Sequence, residues 1–393
     1  MKILLGGVPL GCDNIGDEAI VGCVVGLLRR LVPESEITVC TRDREGTAAR
    51  LHVAAAPLYG FGGNPDLRGF AELVRHHDVY IWFGATGLSD YPEAATDLLR
   101  TARRAGVPSI VWGVGMNSEL NPAFYRVKGR RRKILEILSV VSFTDLAAAY
   151  ERHLLRRTRR HIRRELAACK LVVLRDESSL REVRSCGVAD AVAGADTAIL
   201  QNSAATLPLP ESSGVTRIGF CISEQSVVSD LDGMVKLWNE LLEPPERRLV
   251  LIPMNPVTDK QLMLQLASRV THPDRIECLD RTDPADVQAC ASQCRVIVSS
   301  RLHLLILGAN AGTPGIGIER GSKITNWLAE FGETPAGTVD SCDFSGIARR
   351  IDAVLNRPDA EMRAEVRQVT AAMHRRIDAA SEMLRRTLLE CSE

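Results

Sequence analysis

The sequence predicts an α/β protein made of two doubly wound, parallel-sheet domains in tandem. Its 393 residues exceed what one ordinary core holds, and short apolar runs alternate with helical stretches in both halves. A stretch rich in Ser and Pro separates the two halves. We therefore place the domains at residues 1–200 and 215–357, followed by a closing helix at 358–393.

The first half contains short strand-like runs rich in β-branched and aromatic residues: KILLGG, EITVCT, DVYIWFG, PSIVWGVG and KLVVLRD. Most of them end at a turn residue and lead into a helical stretch. Continuous apolar runs of this length are typical of parallel strands that are buried on both faces.

A linker, QNSAATLPLPESSG, ends this half, and the alternation then resumes with TRIGFCIS, RRLVLIPMN, RIECL and CRVIVSS. The last segment of the chain is charged and has a helical pattern. We expect it to pack as one long closing helix.

The composition excludes several classes of protein. The 49 basic residues balance 49 acidic ones, which does not indicate nucleic-acid binding. The start of the chain does not resemble a secretory signal, and no run reaches the roughly 18 apolar residues that span a membrane. The eleven Cys residues form no C-x-x-C pair, which is typical of reduced thiols. We expect a cytoplasmic protein.

Arg301 and His303 lie where a strand-like run gives way to a helix, in SSRLHLLILGANAG. Ligands of open α/β sheets bind at the carboxyl ends of strands, where helix N-termini attract anions. A guanidinium there can hold a carboxylate or phosphate, and an imidazole can deliver a proton. The alternative is that Arg301 forms a salt bridge in a loop and His303 is a packing residue.

The segment CDNIGDEAIVGC follows the first strand and opens its helix, with Asn14 to Glu18 in or before the first turn. Acidic side chains at this place are also what helix capping predicts. Because the loop faces the predicted crevice, a carboxylate here could accept a proton from a hydroxyl group.

Further candidates follow other strands. Arg175 ends the fifth strand-like run, and Lys323 in GIERGSKI could reach a phosphate, although a solvated loop explains it equally well. A structural, capping role is favoured for Asp196 in GADTAIL. The glycines of GATGLSD lack the G-x-G-x-x-G spacing of a dinucleotide site.

The segment 126–164 holds thirteen Lys or Arg residues and three Asp or Glu residues. Its later part places Leu154, Leu155, Ile162 and Leu166 on one helical stripe, with arginines elsewhere. One hypothesis is peripheral contact of residues 150–166 with anionic lipid at the inner face of the cell membrane. The alternative is a basic helix whose stripe packs on its own domain.

Four segments taken in order, NIGDEAI, RDESSLREVRSCGV, ADTA and SSRLHLLILGANAGTP, resemble the motifs of the polysaccharide pyruvyl transferase family. The last segment is the most specific of the four. The resemblance implies two Rossmann-like domains that face each other across a cleft, in a GT-B-like arrangement with the acceptor side first in the chain and the donor side second.

The resemblance also implies transfer of the pyruvyl group of phosphoenolpyruvate onto a sugar of a cell-surface polysaccharide, such as an exopolysaccharide, or its precursor. The product would be a ketal, and phosphate would be released. In this scheme His303 is the general acid and Asp17 the base. The donor would contact Arg175, Arg301, Leu302 and Lys323, and the sugar or lipid-linked saccharide acceptor would contact Asn14, Gly16 and Glu18. Phosphoenolpyruvate is a substrate here, and we expect no cofactor, metal or nucleic acid.

Two other functions fit the same sequence. A GT-B-type glycosyltransferase that uses a sugar nucleotide could hold the diphosphate with Arg301 and Lys323, since one fold hosts many reactions. A non-catalytic relative could serve as a scaffold for polysaccharide assembly. The presence of both Arg301 and His303 argues against the scaffold, which needs no proton donor beside an anion site.

Overall fold

The computed structural model describes residues 1–61, 66–117, 120–122, 125–142, 144–205, 209 and 214–392. Its strands are β1 Lys2–Gly6, β2 Glu36–Thr41, β3 Ala54–Pro57, β4 Val79–Phe83, β5 Ser109–Val114, β6 Leu171–Leu174, β7 Val192–Ala193, β8 Thr216–Cys221, β9 Arg247–Leu251, β10 Ile276–Cys278, β11 Val296–Ser299 and β12 Gly315–Gly317.

The helices alternate with these strands along most of the chain. They are α1 Ile15–Leu31, α2 Arg44–Leu51, α3 Leu67–Val74, α4 Gly87–Asp90, α5 Pro92–Arg104, α6 Gly129–Ser142, α7 Leu146–Leu166, α8 Glu177–Ser185, α9 Leu231–Leu242, α10 Thr258–Ala267, α11 Pro284–Ser292, α12 Leu302–Asn310, α13 Ser322–Ala329, α14 Phe344–Leu355 and α15 Asp359–Glu390. Short 3₁₀ turns lie at Thr197–Leu200 and Pro273–Arg275.

The strands form two separate parallel sheets. The first has seven strands in the order β3-β2-β1-β4-β5-β6-β7, and the second has five in the order β10-β9-β8-β11-β12. In both, the chain reverses its direction of travel across the sheet between two central strands, as in the Rossmann fold. The predicted fold class, an α/β protein with two Rossmann-like domains, is confirmed.

The first compact unit comprises Met1–Pro9, Leu31–Gly194 and Ala380–Glu393. Every residue of β4 and β5 is buried, and Trp82 and Trp112 are among its largest fully buried side chains. These strands read as continuous apolar runs because helices cover both faces of the sheet.

The basic helix α7 packs its apolar stripe into this first core. Ile162 and Leu166 are buried, and Leu155 packs against the same cluster, whereas most of the arginines are exposed. The stripe is therefore used within its own domain. This favours the alternative, a basic helix whose stripe packs on its own domain, over contact of the stripe at 150–166 with lipid.

The second compact unit comprises Leu10–Arg30 and Ala195–Ala379. Its core lies around β8, β9 and β11, where Phe220 and Trp238 make an edge contact with ring centroids 5.5 Å apart. The carboxyl ends of β8 and β11 are neighbours, since Cys221 pairs with Ser299. This is the place where the second sheet reverses, and Rossmann-like sheets bind ligands at such points.

The two units do not follow the domain boundaries that we placed from sequence. Helix α1 belongs to the second unit although it follows β1 of the first, because the Ile15 amide bonds to the Met254 carbonyl oxygen (3.0 Å) and α1 contacts α12. Helix α15 is shared, with its last residues, from Ala380, in the first unit. None of the eleven Cys residues forms a disulfide.

Candidate active site

The candidate site lies at the carboxyl ends of β8 and β11 in the second unit. The Ser300 hydroxyl accepts a hydrogen bond from the Ser223 amide (2.9 Å), which links the two strand ends. The Ser299 hydroxyl donates to the carbonyl oxygen of Arg301 (2.8 Å) and accepts from its amide (2.9 Å). These bonds fix the backbone at the point where α12 begins.

Arg301 is buried and paired with Asp259, at the start of α10. Its Nε and Nη2 donate to the two carboxylate oxygens at 2.9 and 2.8 Å. Asp259 is fully buried and also accepts from the amides of Glu224 and Asn255, both at 3.0 Å. The carboxylate thus orients the guanidinium. Two of the five N–H groups of Arg301 are used in this way.

His303 is the second residue of α12 and lies between an aspartate and the backbone of α1. Its Nε2 is 3.7 Å from Oδ2 of the buried Asp196, whose Oδ1 caps the following 3₁₀ turn by accepting from the Ala198 amide (3.0 Å). A Cβ added to Gly16 would lie 2.0 Å from Nδ1 of His303. Only a glycine at this position lets the first turn of α1 lie against the imidazole.

Asn14 organises the start of α1. Its Nδ2 donates to Oδ2 of Asp17 (2.7 Å), its Oδ1 accepts from the Gly16 amide (3.1 Å), and its carbonyl oxygen accepts from the amides of Asp17 and Glu18. The capping role that the sequence indicated for this segment is therefore present. The same bonds hold the Asp17 side chain in one position.

Asp17 is a buried carboxyl beside three cationic or ionisable side chains. Burial raises the pKa of Asp17 above its ordinary value, while His303, Lys323, the hydrogen bond from Asn14 and Arg301 act in the opposite direction. The residues that we predicted from α1, α12 and α13 therefore act on one carboxyl within a single unit. A carboxyl with a raised pKa, held beside an imidazole, is suited to proton transfer.

The remaining predicted residues of this unit are also at helix starts. Leu302 and Lys323 are in the first turns of α12 and α13, where backbone amides can bind an anion. Glu18 turns back toward the preceding loop, and its Oε1 accepts from the Gly11 amide (3.1 Å). In this structure Glu18 shapes the loop that leads into α1.

Arg175 belongs to the first unit. It is buried after β6, its Nε contacts Oδ2 of Asp176 at 3.2 Å, and a Cβ on Gly115 would lie 2.7 Å from its Nη2. Asp176 caps α8 by accepting from the Ser179 amide (2.7 Å). The structure therefore brings eight of the nine predicted residues into one unit, and Arg175 is in the other.

Two residues of the site were not selected from sequence. Asp259 follows β9 in the run PMNPVTDKQ, so the signal that singled out Arg301, a charged residue after a strand, was present there too. Arg320 donates from Nη1 to the Ser223 hydroxyl and to the Gln225 carbonyl oxygen, both at 2.7 Å. It stabilises the loop after β8 beside the site.

Among the residues that the structure describes, no three His, Cys, Asp or Glu side chains are placed to hold a metal ion. No helix in the described part of the chain is long and apolar enough to cross a bilayer.

Solved structures with a similar fold are sugar-nucleotide epimerases and glycosyltransferases. The UDP-GlcNAc 2-epimerase of Neisseria meningitidis bound to UDP-GlcNAc matches with a TM-score of 0.60 and 13% identity, over 99% of this chain and 100% of that one. Anabaena HepE in complex with UDP matches with a TM-score of 0.58 and 11% identity, over 99% and 100%. A spinosyn rhamnosyltransferase matches with a TM-score of 0.55 and 14% identity, over 95% and 96%. At these identities the likeness establishes the fold alone.

The two Rossmann-like sheets and the likeness to these structures define a protein with a GT-B-like fold. The family model of polysaccharide pyruvyl transferases matches residues 14–322, a span that includes Asn14, Asp17, Arg301 and His303. The chain belongs to the polysaccharide pyruvyl transferase family, which is a family of transferases. No curated protein sequence matches the chain.

Proposed function

We propose that this protein transfers the pyruvyl group of phosphoenolpyruvate to two hydroxyl groups of a sugar in a cell-surface polysaccharide or its lipid-linked precursor. The observation that carries the proposal is the placement of Asp17 among His303, Lys323 and Arg301 within one unit of a member of this family. The site thus combines a proton acceptor, a proton donor and cations.

The cations match the two charged groups of the donor. Phosphoenolpyruvate carries a carboxylate and a phosphate, which guanidinium and ammonium groups bind with charge-assisted hydrogen bonds. Arg301, oriented by Asp259, and Lys323 supply such groups in the second unit. The first-turn amides of α12, including that of Leu302, add backbone donors.

The reaction needs one proton delivered and two removed. His303 protonates the CH₂ carbon of the enol, which becomes the methyl group, and the neighbouring carbon becomes electrophilic. One sugar oxygen bonds to this carbon as its proton passes to Asp17. The second oxygen then replaces the phosphate, which leaves and takes up the remaining proton. The products are a cyclic ketal and inorganic phosphate, without oxidation or reduction.

The experiment compares donors and then removes the acid. Calorimetry should detect phosphoenolpyruvate binding to the wild type, whereas UDP-sugars should not bind. A panel of hexose, N-acetylhexosamine and lipid-linked acceptors should release phosphate from phosphoenolpyruvate. If UDP-sugars bound and phosphoenolpyruvate did not, a glycosyltransferase that uses a sugar nucleotide would be favoured instead. This is the alternative to test because two structures of similar fold contain UDP or UDP-GlcNAc.

The variant His303→Gln should lower turnover at least ~100-fold while the affinity for phosphoenolpyruvate changes little, because glutamine is polar but cannot act as an acid. His272→Gln is the matched control, since His272 is exposed and lies outside the site. Turnover near the wild-type value in His303→Gln would exclude His303 as the general acid and leave it as a packing residue.

A further inference from the structure

Helix α6 in the first unit exposes aliphatic side chains that a water-facing helix normally buries. The exposed fractions of Ile134, Ile137, Leu138 and Val140 are 55%, 66%, 47% and 77%. Ile134, Ile137 and Leu138 follow the i, i+3, i+4 spacing and share one face. Four such residues on one short helix form an apolar patch, and patches of this kind mark interaction sites.

The opposite side of α6 is used for packing within the domain. Leu135 and Ser139 are half-buried, and the Ser139 hydroxyl accepts from the amide of Leu146 at the start of α7 (2.9 Å). The acidic Glu136 bonds to Arg132 at 2.8 Å, outside the apolar face. The helix is therefore attached by one face and presents the other to solvent.

Basic side chains surround the exposed apolar face. Arg130, Arg131 and Lys133 are exposed in the first turn of α6, and the neighbouring helix α7 exposes most of its arginines. By a 100° turn per residue, Arg130 lies close to Ile134 and Ile137, and Arg131 lies beside Leu138. The surface thus combines aliphatic anchors with a rim of positive charge.

We propose that this α6 surface, formed by Arg130, Arg131, Lys133, Ile134, Ile137 and Leu138, docks the protein on the surface of an anionic lipid bilayer. An amphipathic helix with a basic rim lies in the bilayer interface, where its apolar side chains enter the acyl boundary and its cations meet lipid phosphates. This contact goes beyond the proposed reaction and does not depend on it.

The charges and side-chain types favour lipid over the other occupants. A second copy of the chain would bring two segments of the same positive charge together, at an electrostatic cost. A nucleic acid would match the charge, but its phosphates make no favourable contact with exposed isoleucine and valine. Anionic lipid is complementary to both parts of the surface.

The test is co-sedimentation of the full-length protein with phosphatidylcholine vesicles that do or do not contain phosphatidylglycerol. The wild type should bind the anionic vesicles only, and binding should weaken with salt. The triple variant R130Q/R131Q/K133Q should bind about 100-fold more weakly, from the loss of three surface charges near lipid. Ile134→Ser combined with Ile137→Ser should have an effect of roughly the same size, from lost apolar burial.

Matched controls distinguish the α6 surface from general charge and hydrophobicity. The variant R42Q/R44Q/K236Q removes three exposed charges elsewhere, and Val257→Ser with Leu264→Ser removes two exposed aliphatic side chains from the second unit. Both should bind vesicles like the wild type. Phosphate release with a soluble acceptor should be unchanged in every α6 variant, so that this test and the test of the proposed reaction can fail separately.

The proposal would be overturned if the wild type did not bind anionic vesicles, if binding survived both α6 variants, or if the control variants lost binding equally. If the wild type sedimented as a dimer and the α6 serine variants as monomers, the surface would be assigned to self-association instead.

Discussion

Asp17 combines two opposing influences in one side chain. Its burial disfavours the charged form, whereas the imidazole and the two cations beside it favour that form, and burial has the larger effect. A carboxyl whose pKa lies above its ordinary value holds a proton more strongly and is a better base once ionised. The ionised form of the buried Asp17 therefore lowers the stability of the folded protein. The same raised pKa makes Asp17 a stronger base in the proposed reaction.

The variant Asp17→Asn separates this cost from catalysis. Because the folded-state pKa is raised, the contribution of Asp17 to stability is full below about pH 3.8 and is lost as the pH rises through the raised pKa. Asparagine has no such loss. The variant should therefore unfold at higher urea concentration than the wild type at pH 7, with the difference shrinking toward pH 4, while turnover falls ~100-fold or more.

Urea denaturation at several pH values measures the first effect, and phosphate release measures the second. The exposed Asp13→Asn is the control, and it should change neither. A less stable Asp17→Asn at pH 7 would show that the surrounding cations, rather than burial, dominate the environment of this carboxyl.

The positions of Arg301 and His303 could be predicted because each follows directly from a local pattern, a strand that ends where a helix starts. The partner of Arg301 could not. Asp259 is distant in sequence, and its approach to Arg301 depends on the order of β9, β8 and β11 in the sheet. The contact between Asp196 and His303 could not be predicted either, because the two residues are distant in sequence. The local pattern around Asp196 indicates only its capping role.

At the scale of elements, the site depends on the close approach of α1 to α12. Gly16 is buried in the first turn of α1, against the imidazole of His303, and any side chain there would displace one of the two. A glycine in a helix is normally unfavourable by ~1 kcal/mol relative to alanine. Its presence here is explained by the space that the imidazole needs.

The variant Gly16→Ala should therefore lose activity, whereas Gly26→Ala, in the same helix, should not. A Cβ at Gly16 would overlap the imidazole, so we expect turnover to fall roughly 10- to 100-fold as His303 is displaced. A Cβ at Gly26 meets no atom within 4 Å, so that variant should be more stable by up to ~1 kcal/mol with unchanged turnover.

Thermal denaturation and phosphate release on both variants provide the measurement. If Gly16→Ala turned over like Gly26→Ala, the imidazole would have room to move without loss, and its present position against α1 would not matter for the reaction.

The helices of the basic segment show what a sequence pattern leaves open. The apolar stripe of α7 and the exposed apolar face of α6 are both amphipathic patterns beside arginines, and periodicity alone does not say which one packs on the sheet. The structure buries Ile162 and Leu166 and leaves Ile137 and Val140 exposed. Both helices lie between β5 and β6, and only the folded chain determines which of them packs its apolar side into the core.

At the scale of the whole molecule, the second unit is built from two separate pieces of the chain. Residues 10–30 supply α1, and residues 195–379 supply the sheet and the other helices. Eleven residues of α1 are buried, so the larger piece alone would expose the surface that α1 covers within this unit. We did not predict this exchange, because a helix that follows a strand usually packs on the sheet of that strand.

A fragment of residues 195–379 should accordingly be unstable alone and be rescued by a synthetic peptide of residues 10–30. The peptide restores apolar burial and the bond from the Ile15 amide to the Met254 carbonyl oxygen. Adding it should raise the thermal midpoint of the fragment in a concentration-dependent manner, as expected for a ligand that binds only the folded state. A peptide of the same composition in scrambled order is the control and should have no effect. If the thermal midpoint of the fragment were the same with and without the peptide of residues 10–30, the assignment of α1 to this unit would be contradicted.

The two-piece construction also has a consequence for how the protein is made on the ribosome. After helix α1 leaves the exit tunnel, residues 31–194 must be translated before the first residues of its partner piece emerge. At bacterial or eukaryotic elongation rates that interval lasts on the order of 10 to 30 s. During this interval the buried side of α1 has no native surface within its own unit to cover it, so we expect the nascent chain to bind chaperones that recognise exposed apolar segments. The first unit waits longer still, because its segment Ala380–Glu393 is translated only after the whole of the second unit.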